Sequence, residues 1–412
     1  MSDRLSTLVD TYLTSENTHD ELEVKFGTKR RGALTRIDFD NIIRNLKSKG
    51  FTSAQVTGAY RLTIQSSFVD KRTGDVKMSN IRIEIPSLSN IKKFCETNRF
   101  DIKGAAGDIL VENLPKYITF TQKRRKYIAN KVVKPVDFDD FNFRLDLKEE
   151  NNIPISDLRV KSMLRDWDNS KKNYRFIKRF TFTHKDYPLK VDCSIVKTSK
   201  IVGGHMLAAY TIQDSNLFSN PEHYEIEIEI NSLSDIKQYR IQKEDIVTKM
   251  RKTIRVILGG WQRSNYPIAF SEQTKILQNY MKLIHGRGGF DSHILPKDFI
   301  GPSSISLEMG NIISPDPELK TPNIRDPYTL TDKADGLRKL LFINSLGRVY
   351  LLTTDMKVQF TGSKTANGLL HNSILDGEHV LHNKMGKFTV SYTHLRAHET
   401  DSYLVCRLLL EK

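Results

Sequence analysis

The sequence predicts an α+β chain: an eight-stranded antiparallel β-tunnel with a hydrophilic interior and flanking helices, then a helical connector, then a second domain with strands. Three observations predict it. From about residue 20 to 230, apolar and polar side chains alternate with the period of strands. The first and last strand-like runs of that stretch carry glutamates on one face, whereas the runs between them carry mostly Lys and Arg. From 233 to 290 the period becomes helical, and from about 291 Pro, Gly and short strands return. The 412 residues suit two or three domains, and 38% hydrophobic content supplies cores and argues against wholesale disorder. No apolar run approaches a membrane-spanning length, and MSDRLSTLVDTYL lacks the apolar core of a secretory signal. Three scattered cysteines, Cys95, Cys193 and Cys406, make neither a disulfide framework nor a zinc cage and point to a reducing compartment. Sixty-four basic residues against 49 acidic ones give +15, a balance that suits a polyanion such as RNA or DNA.

Taken in order, ELEVKF places Glu21, Glu23 and Lys25 opposite Leu22, Val24 and Phe26. Thr35 caps a helix through Ile37, Ile42, Ile43 and Leu46 that stops at Gly50. Arg61, Thr63 and Gln65 then oppose Leu62 and Ile64, and Arg82 and Glu84 oppose Ile81, Ile83 and Ile85. A helix begins near Ser89 with Ile91, Phe94 and Cys95 on one side. Thr119, Thr121, Lys123 and Arg125 face away from Ile118 and Phe120, and Arg144, Asp146 and Lys148 from Phe143, Leu145 and Leu147. A short helix follows Ser156 through Leu158, Val160 and Leu164. Arg179, Thr181 and Thr183 oppose Phe180 and Phe182, while Lys178 falls on the apolar side unless a bulge intervenes. Lys190, Asp192 and Ser194 oppose Val191, Cys193 and Ile195, and Glu225, Glu227 and Glu229 oppose Ile226, Ile228 and Ile230. Two helices follow, one with Ile246, Met250, Ile254 and Ile257, the next capped by Ser271 and ended by Gly286.

Any one of these strands fits an antiparallel sheet with a wet face. Together they do not, because three same-face glutamates repel one another, as do adjacent Lys/Arg strands, unless the two sets converge. A closed barrel with its charged faces inward and its apolar faces covered by helices achieves that. Clustered carboxylates inside would hold a hard divalent cation, Mg²⁺ or Mn²⁺, through oxygen ligands. The Lys and Arg would clamp a polyphosphate, and cation and clamp together would stabilise charge on a phosphoryl group under attack by water.

Glu21/Glu23 and Glu225/Glu227/Glu229, at the two ends of one eight-strand pattern, resemble the paired glutamate motifs of the triphosphate tunnel metalloenzyme family. The RNA triphosphatases of fungi and large DNA viruses are nearest in pattern. The resemblance implies that Glu21, Glu23, Glu227 and Glu229 are metal ligands and that Glu225 orients or activates the water. It makes Arg82, Lys123, Arg125, Arg179 and Lys190 the triphosphate clamp, with Lys25, Arg61 and Arg144 on the same faces and Asp192 behind the clamp. The family often has Arg-x-Asp-x-Thr where this chain has Lys190-Val-Asp192-Cys-Ser194.

Farther on, Lys333-Ala-Asp335-Gly336-Leu-Arg338 leads into the strand KLLFIN, and Asp376-Gly377-Glu378 follows about forty residues later. Alone, K-x-D-G is a polar turn before a strand. With the downstream DGE it resembles the nucleotidyltransferase superfamily of mRNA guanylyltransferases and polynucleotide ligases. That implies Lys333 as a nucleophile toward an α-phosphate, with its basicity depressed or offset by the site. Asp335, Gly336, Arg338, Asp376 and Glu378 would then contact nucleotide, with GTP as substrate of the guanylyltransferase half.

The boundaries expected are 1–232 for a triphosphatase barrel, 233–290 for the connector, 291–389 for the N-terminal part of a guanylyltransferase domain, and 390–412 for a foreign tail. Those last residues, VSYTHLRAHETDSYLVCRLLLEK, resemble a translated sequencing adapter, so the native chain is expected to continue differently beyond them. The two halves together resemble mRNA-capping enzymes of large cytoplasmic DNA viruses. This implies 5′-triphosphate RNA and GTP as partners, no membrane, a methyltransferase domain or subunit elsewhere, and a place in the virion or the host cytoplasm. Two rivals are a polynucleotide ligase, which would leave the glutamate strands unexplained, and a non-catalytic RNA-binding scaffold, which would leave the carboxylates unexplained.

Overall fold

A computed structural model describes residues 2–27, 32–70, 72–100, 114–286, 294–301, 308–314, 323–325, 336–382 and 388–396. The chain forms two compact units, Met1–Trp261 and Gln262–Lys412.

In the first unit eight strands close into a barrel: β1 (Asp20–Phe26), β2 (Ala59–Val69), β3 (Ile81–Pro86), β4 (Thr119–Arg125), β5 (Phe143–Asn152), β6 (Lys172–Thr183), β7 (Leu189–Thr198) and β8 (His223–Ile230). The order around the barrel is β1-β8-β7-β6-β2-β3-β4-β5, and β5 pairs with β1 to remove the edge. Every pairing is antiparallel. The register carries the sequence alternation inward. Glu23 stands opposite Glu229 and Asp146, Lys25 opposite Glu227 and Arg144, and Asp192 opposite Glu227. A slip of one residue in any strand would bury its charges against the helices and turn its apolar side into the tunnel.

The apolar faces point outward into two cores. Leu22, Val24, Leu145, Val191, Ile226 and Ile228 pack beneath α1 (Ser2–Leu13), α2 (Arg36–Ser48), α5 (Leu233–Gln238) and α6 (Lys243–Gln262). Leu62, Ile64, Ile83, Ile85 and Phe120 pack beneath α3 (Leu88–Thr97) and α4 (Leu158–Arg165). Helix α1 escaped the sequence reading, although Leu5, Leu8, Val9 and Tyr12 sit at helical spacing and are all buried. Thr35 caps α2 as expected: its Oγ1 accepts from the Asp38 N–H (3.2 Å) while its own N–H donates to Asp38 Oδ2 (3.1 Å). α6 lies so close to α2 that a Cβ on Gly260 would stand 2.7 Å from the Ile42 Cα.

The helices of 233–290 do not form a separate connector. Ile246, Met250, Ile254 and Ile257 of α6 belong to the barrel's own core, whereas Ile276, Tyr280 and Met281 of α7 (Phe270–His285) belong to the core of the second unit. That unit has a five-stranded antiparallel sheet of β9 (Leu337–Ile343), β10 (Arg348–Thr353), β11 (Val358–Lys364), β12 (Ser373–His382) and β13 (Phe388–Arg396), in the order β11-β10-β9-β12-β13. The DGE segment lies within β12, and the backbone of β13 runs into the segment read as foreign.

Candidate functional site

The inward faces of the eight strands line a cavity of about 970 Å³. Ten Lys and Arg residues and seven Asp and Glu residues border it, so the charges converge with cations in excess. Glu21, Lys25, Arg61, Arg82, Lys123, Arg125, Arg179, Lys190, Glu227 and Glu229 are all on the wall.

The carboxylates are not loose. Glu23 is 2% exposed; Lys25 Nζ lies 3.0 Å from its Oε1 and equally 3.0 Å from Glu227 Oε1. Lys148 reaches the same Glu23 oxygen at 3.0 Å. Lys123 bridges Glu21 (2.6 Å) and Glu150 (2.7 Å), and Lys190 holds Glu229 (2.9 Å). Burial pulls the Lys25 ammonium toward neutrality, but Glu227 and Glu23 outweigh it and leave its pKa raised. Glu227 is the mirror case: burial would raise its carboxyl, yet Lys25 and Arg179 hold it down at about 2. Glu229 goes the other way, pushed up to about 7 by burial and by Glu21, against the pull of Lys190.

Asp192 stands behind the clamp. Its Oδ2 accepts from Arg179 Nη1 at 2.9 Å and its Oδ1 from Thr181 Oγ1 at 2.6 Å, which fixes the guanidinium toward the cavity. Arg179 Nη2 also reaches Glu227 at 3.3 Å. Arg61 pairs with Glu84 at 2.9 Å. Arg82 and Arg125 also line the cavity, and among the described residues neither forms an ion pair.

Two candidates are engaged elsewhere. Arg144 is paired with Asp137, Nε to Oδ1 at 2.8 Å, and is not part of the cavity wall. Glu225 is held in an ion pair by Arg175. Arg175 itself was missed, as was Glu150 on the wall, while Glu84 and Lys148 were read onto the inward faces without a role. The parity was there to find them, since Arg175 is four residues before Arg179 on one strand. Lys178 hid it by breaking the alternation. The β6 register is continuous through that point, so there is no bulge, and Lys178 turns outward over the rings of Tyr60 (5.5 Å) and Phe180 (5.4 Å).

The donor set suits a hard divalent cation, being oxygen-only and gathered on two hydrogen-bonded strands, β1 and β8. As the side chains stand, lysines hold those oxygens, and among the described residues no three acidic, histidine or cysteine side chains form a metal-holding group.

In the second unit Lys333 and Asp335 lie outside the described residues. Their neighbours are positioned by β9 and β12. Arg338 is opposite Glu378 in register and makes a two-pronged bond to Asp376, Nε to Oδ1 at 3.1 Å and Nη2 to Oδ2 at 2.7 Å. Gly336 has no room for a side chain, since a Cβ would lie 2.9 Å from the His379 carbonyl oxygen. Glu378 Oε2 is buried with no hydrogen-bond partner among the described residues.

Fold and site together define a closed β-tunnel whose interior is built for a polyanion. No protein-family model matches the chain. The chain is similar to a protein described as a probable mRNA-capping enzyme of Acanthamoeba polyphaga mimivirus, 25% identical over 240 residues. That match takes in 58% of this chain and 17% of the relative's length. Among solved structures, the mimivirus capping enzyme triphosphatase matches 60% of this chain and 96% of its own, at 17% identity and a TM-score of 0.35. The S. pombe Pct1 RNA triphosphatase matches 62% and 92%, at 15% identity and a TM-score of 0.32. The capping-enzyme resemblance read from the sequence is met by that relative.

Proposed function

We propose that the barrel is an RNA 5′-triphosphatase, removing the γ-phosphate of triphosphate-ended RNA as the first step of cap formation. The observation that carries this reading is the tunnel wall itself: acidic strands β1 and β8 side by side, facing basic strands that include Arg82 and Arg125, which form no ion pair among the described residues. A triphosphate brings about four negative charges into a low-dielectric enclosure, and such a wall is already arranged to receive them. Arg82 and Arg125 engage it first. Lys123, Lys190 and Arg179 then turn from carboxylate to phosphate oxygens, and Asp192 keeps Arg179 aimed into the tunnel. That exchange frees Glu21 and Glu229, and once Lys25 and Lys148 also turn from Glu23 and Glu227 the four glutamates would hold Mg²⁺ or Mn²⁺, which when bound would supply Lewis-acid stabilisation of the transferring phosphoryl group. Glu225 would orient the attacking water once its Arg175 partner swings to phosphate.

The second unit is read as a guanylyltransferase unit whose Lys333 attacks the α-phosphate of GTP, forming a lysyl-GMP bond and expelling pyrophosphate. The Arg338–Asp376 pair and the buried Glu378 oxygen support a nucleotide site there. The parent protein would then carry consecutive capping activities, act in the virion or viral factory, and work with a methyltransferase.

The deciding test is release of labelled γ-phosphate from triphosphate-ended RNA by residues 1–389, with Mg²⁺ or Mn²⁺. Release should disappear with EDTA and fall by at least about a hundredfold in Glu23→Ala and Glu227→Ala. A folded protein that binds RNA but releases nothing would replace this reading with a non-catalytic scaffold.

A further inference from the structure

The tunnel accounts for a triphosphate but not for the chain attached to it. Past the cavity-lining Lys123 and Arg125, β4 runs directly into a small hairpin in which Tyr127–Ile128 pairs with Lys131–Val132. Both turn residues, Ala129 and Asn130, have positive φ (46° and 62°), the geometry of a tight two-residue turn. The hairpin is pinned at its base. Lys126 Nζ is drawn inward to Asp20 (2.8 Å), Glu149 (3.4 Å) and Ser15 Oγ (3.2 Å), and the Val133 N–H donates to the Lys126 carbonyl (2.8 Å).

What this rigid rim projects is not explained by the barrel's stability. Tyr127 is 60% exposed and Ile128 46%. Residues 124–135 contain five basic and no acidic side chains. Lys131 and Lys134 are exposed, and with Arg124 and Arg125 they have no ion pair among the described residues. An exposed ring and exposed cations on one short hairpin match what single-stranded nucleic acid needs, with a base stacking on the ring and the backbone following the charges.

We propose that the hairpin 127–132 is a docking platform for the first nucleotides of a single-stranded RNA whose 5′-triphosphate lies in the tunnel. Tyr127 stacks with a base, and Lys131 and Lys134 track the phosphates. The proposal rests on the triphosphatase reading of the tunnel, and its test separates the two. Anisotropy would give the Kd of a labelled 5′-triphosphate RNA of about ten nucleotides, and phosphate release would give KM for that RNA and for inorganic tripolyphosphate. Tyr127→Ala should weaken RNA binding and raise the RNA KM by about tenfold, with tripolyphosphate hydrolysis unchanged, and Tyr127→Phe should restore wild-type behaviour. Lys131→Ala with Lys134→Ala should flatten the slope of log Kd against log salt by about 1.4, or about 0.7 per phosphate contact. Unchanged RNA affinity in these variants would overturn the proposal. So would an equal loss on RNA and tripolyphosphate, which would mark the hairpin as merely structural, or no RNA binding by the wild type. If the wild type binds RNA but hydrolyses neither substrate, the triphosphatase reading fails, and the Kd comparison still decides the hairpin.

Discussion

Lys172 is 2% exposed and forms no ion pair among the described residues, though Asp168 lies near enough to pull weakly on its charge; its ammonium donates to the carbonyls of Ser170 (2.7 Å) and Tyr210 (3.2 Å) and lies 4.6 Å above the Trp167 ring. Carbonyl dipoles and an aromatic face compensate a buried charge only in part, and burial lowers its pKa from 10.5 to about 8. Between those two values the unfolded chain holds a proton that the folded chain has released, so folding stability rises with pH across that window. Below about 8 both states are protonated and the curve is flat. Urea unfolding at pH 7.5 and pH 10 should show the wild type gaining on the order of 2 kcal/mol relative to Lys172→Met. Equal pH dependence in the two proteins would refute it. The tunnel carboxylates show the same physics in another balance: Glu227 has two cations close by and is held down at about 2, whereas Glu229, with Glu21 near and one lysine in contact, is pushed up to about 7.

At the scale of elements, closure depends on helices that cover the barrel's apolar outside. Gly260 allows α6 to approach the α2 backbone, where Asn45 Nδ2 also donates to the Val256 carbonyl at 2.6 Å. Gly260→Ala would place its methyl 2.7 Å from the Ile42 Cα, and the two helices would have to part. We expect a loss of about 2–3 kcal/mol, read from the denaturation midpoint. Thr35→Ala should cost about 1 kcal/mol in the same assay by removing the α2 cap; the comparison separates a packing defect from a capping one. The cap and stop of α2 were legible in the sequence because Thr35, Asp38 and Gly50 act on their own backbone. Gly260 was not, since the residue that makes it necessary is more than two hundred positions away.

At the scale of the molecule, the two units make separable predictions. With GTP and a divalent cation, a covalent nucleotide adduct should form on Lys333 if the second unit is active in this chain, and Lys333→Ala should abolish it while leaving phosphate release by the barrel intact. Labelling by ATP in place of GTP would favour a ligase-like enzyme. Phosphate release that falls in parallel with Lys333→Ala would show that the two sites are not independent.

The sequence by itself determined the eight strands, which face of each is charged, and which glutamates meet at the seam. Side-chain alternation has a period of two, and closure turns every charged face to the same side. It also located the lysine motif ahead of a strand. Only the tertiary structure decided which cation meets which carboxylate: that Lys25 bridges Glu23 and Glu227, that Arg144 turns to Asp137, and that Arg82 and Arg125 remain without a carboxylate among the described residues. It likewise divided the helices of 233–290 between two cores. Facing is a local property that the backbone repeats every two residues. Pairing depends on the stagger between strands distant in sequence, and that stagger is set only when the barrel closes.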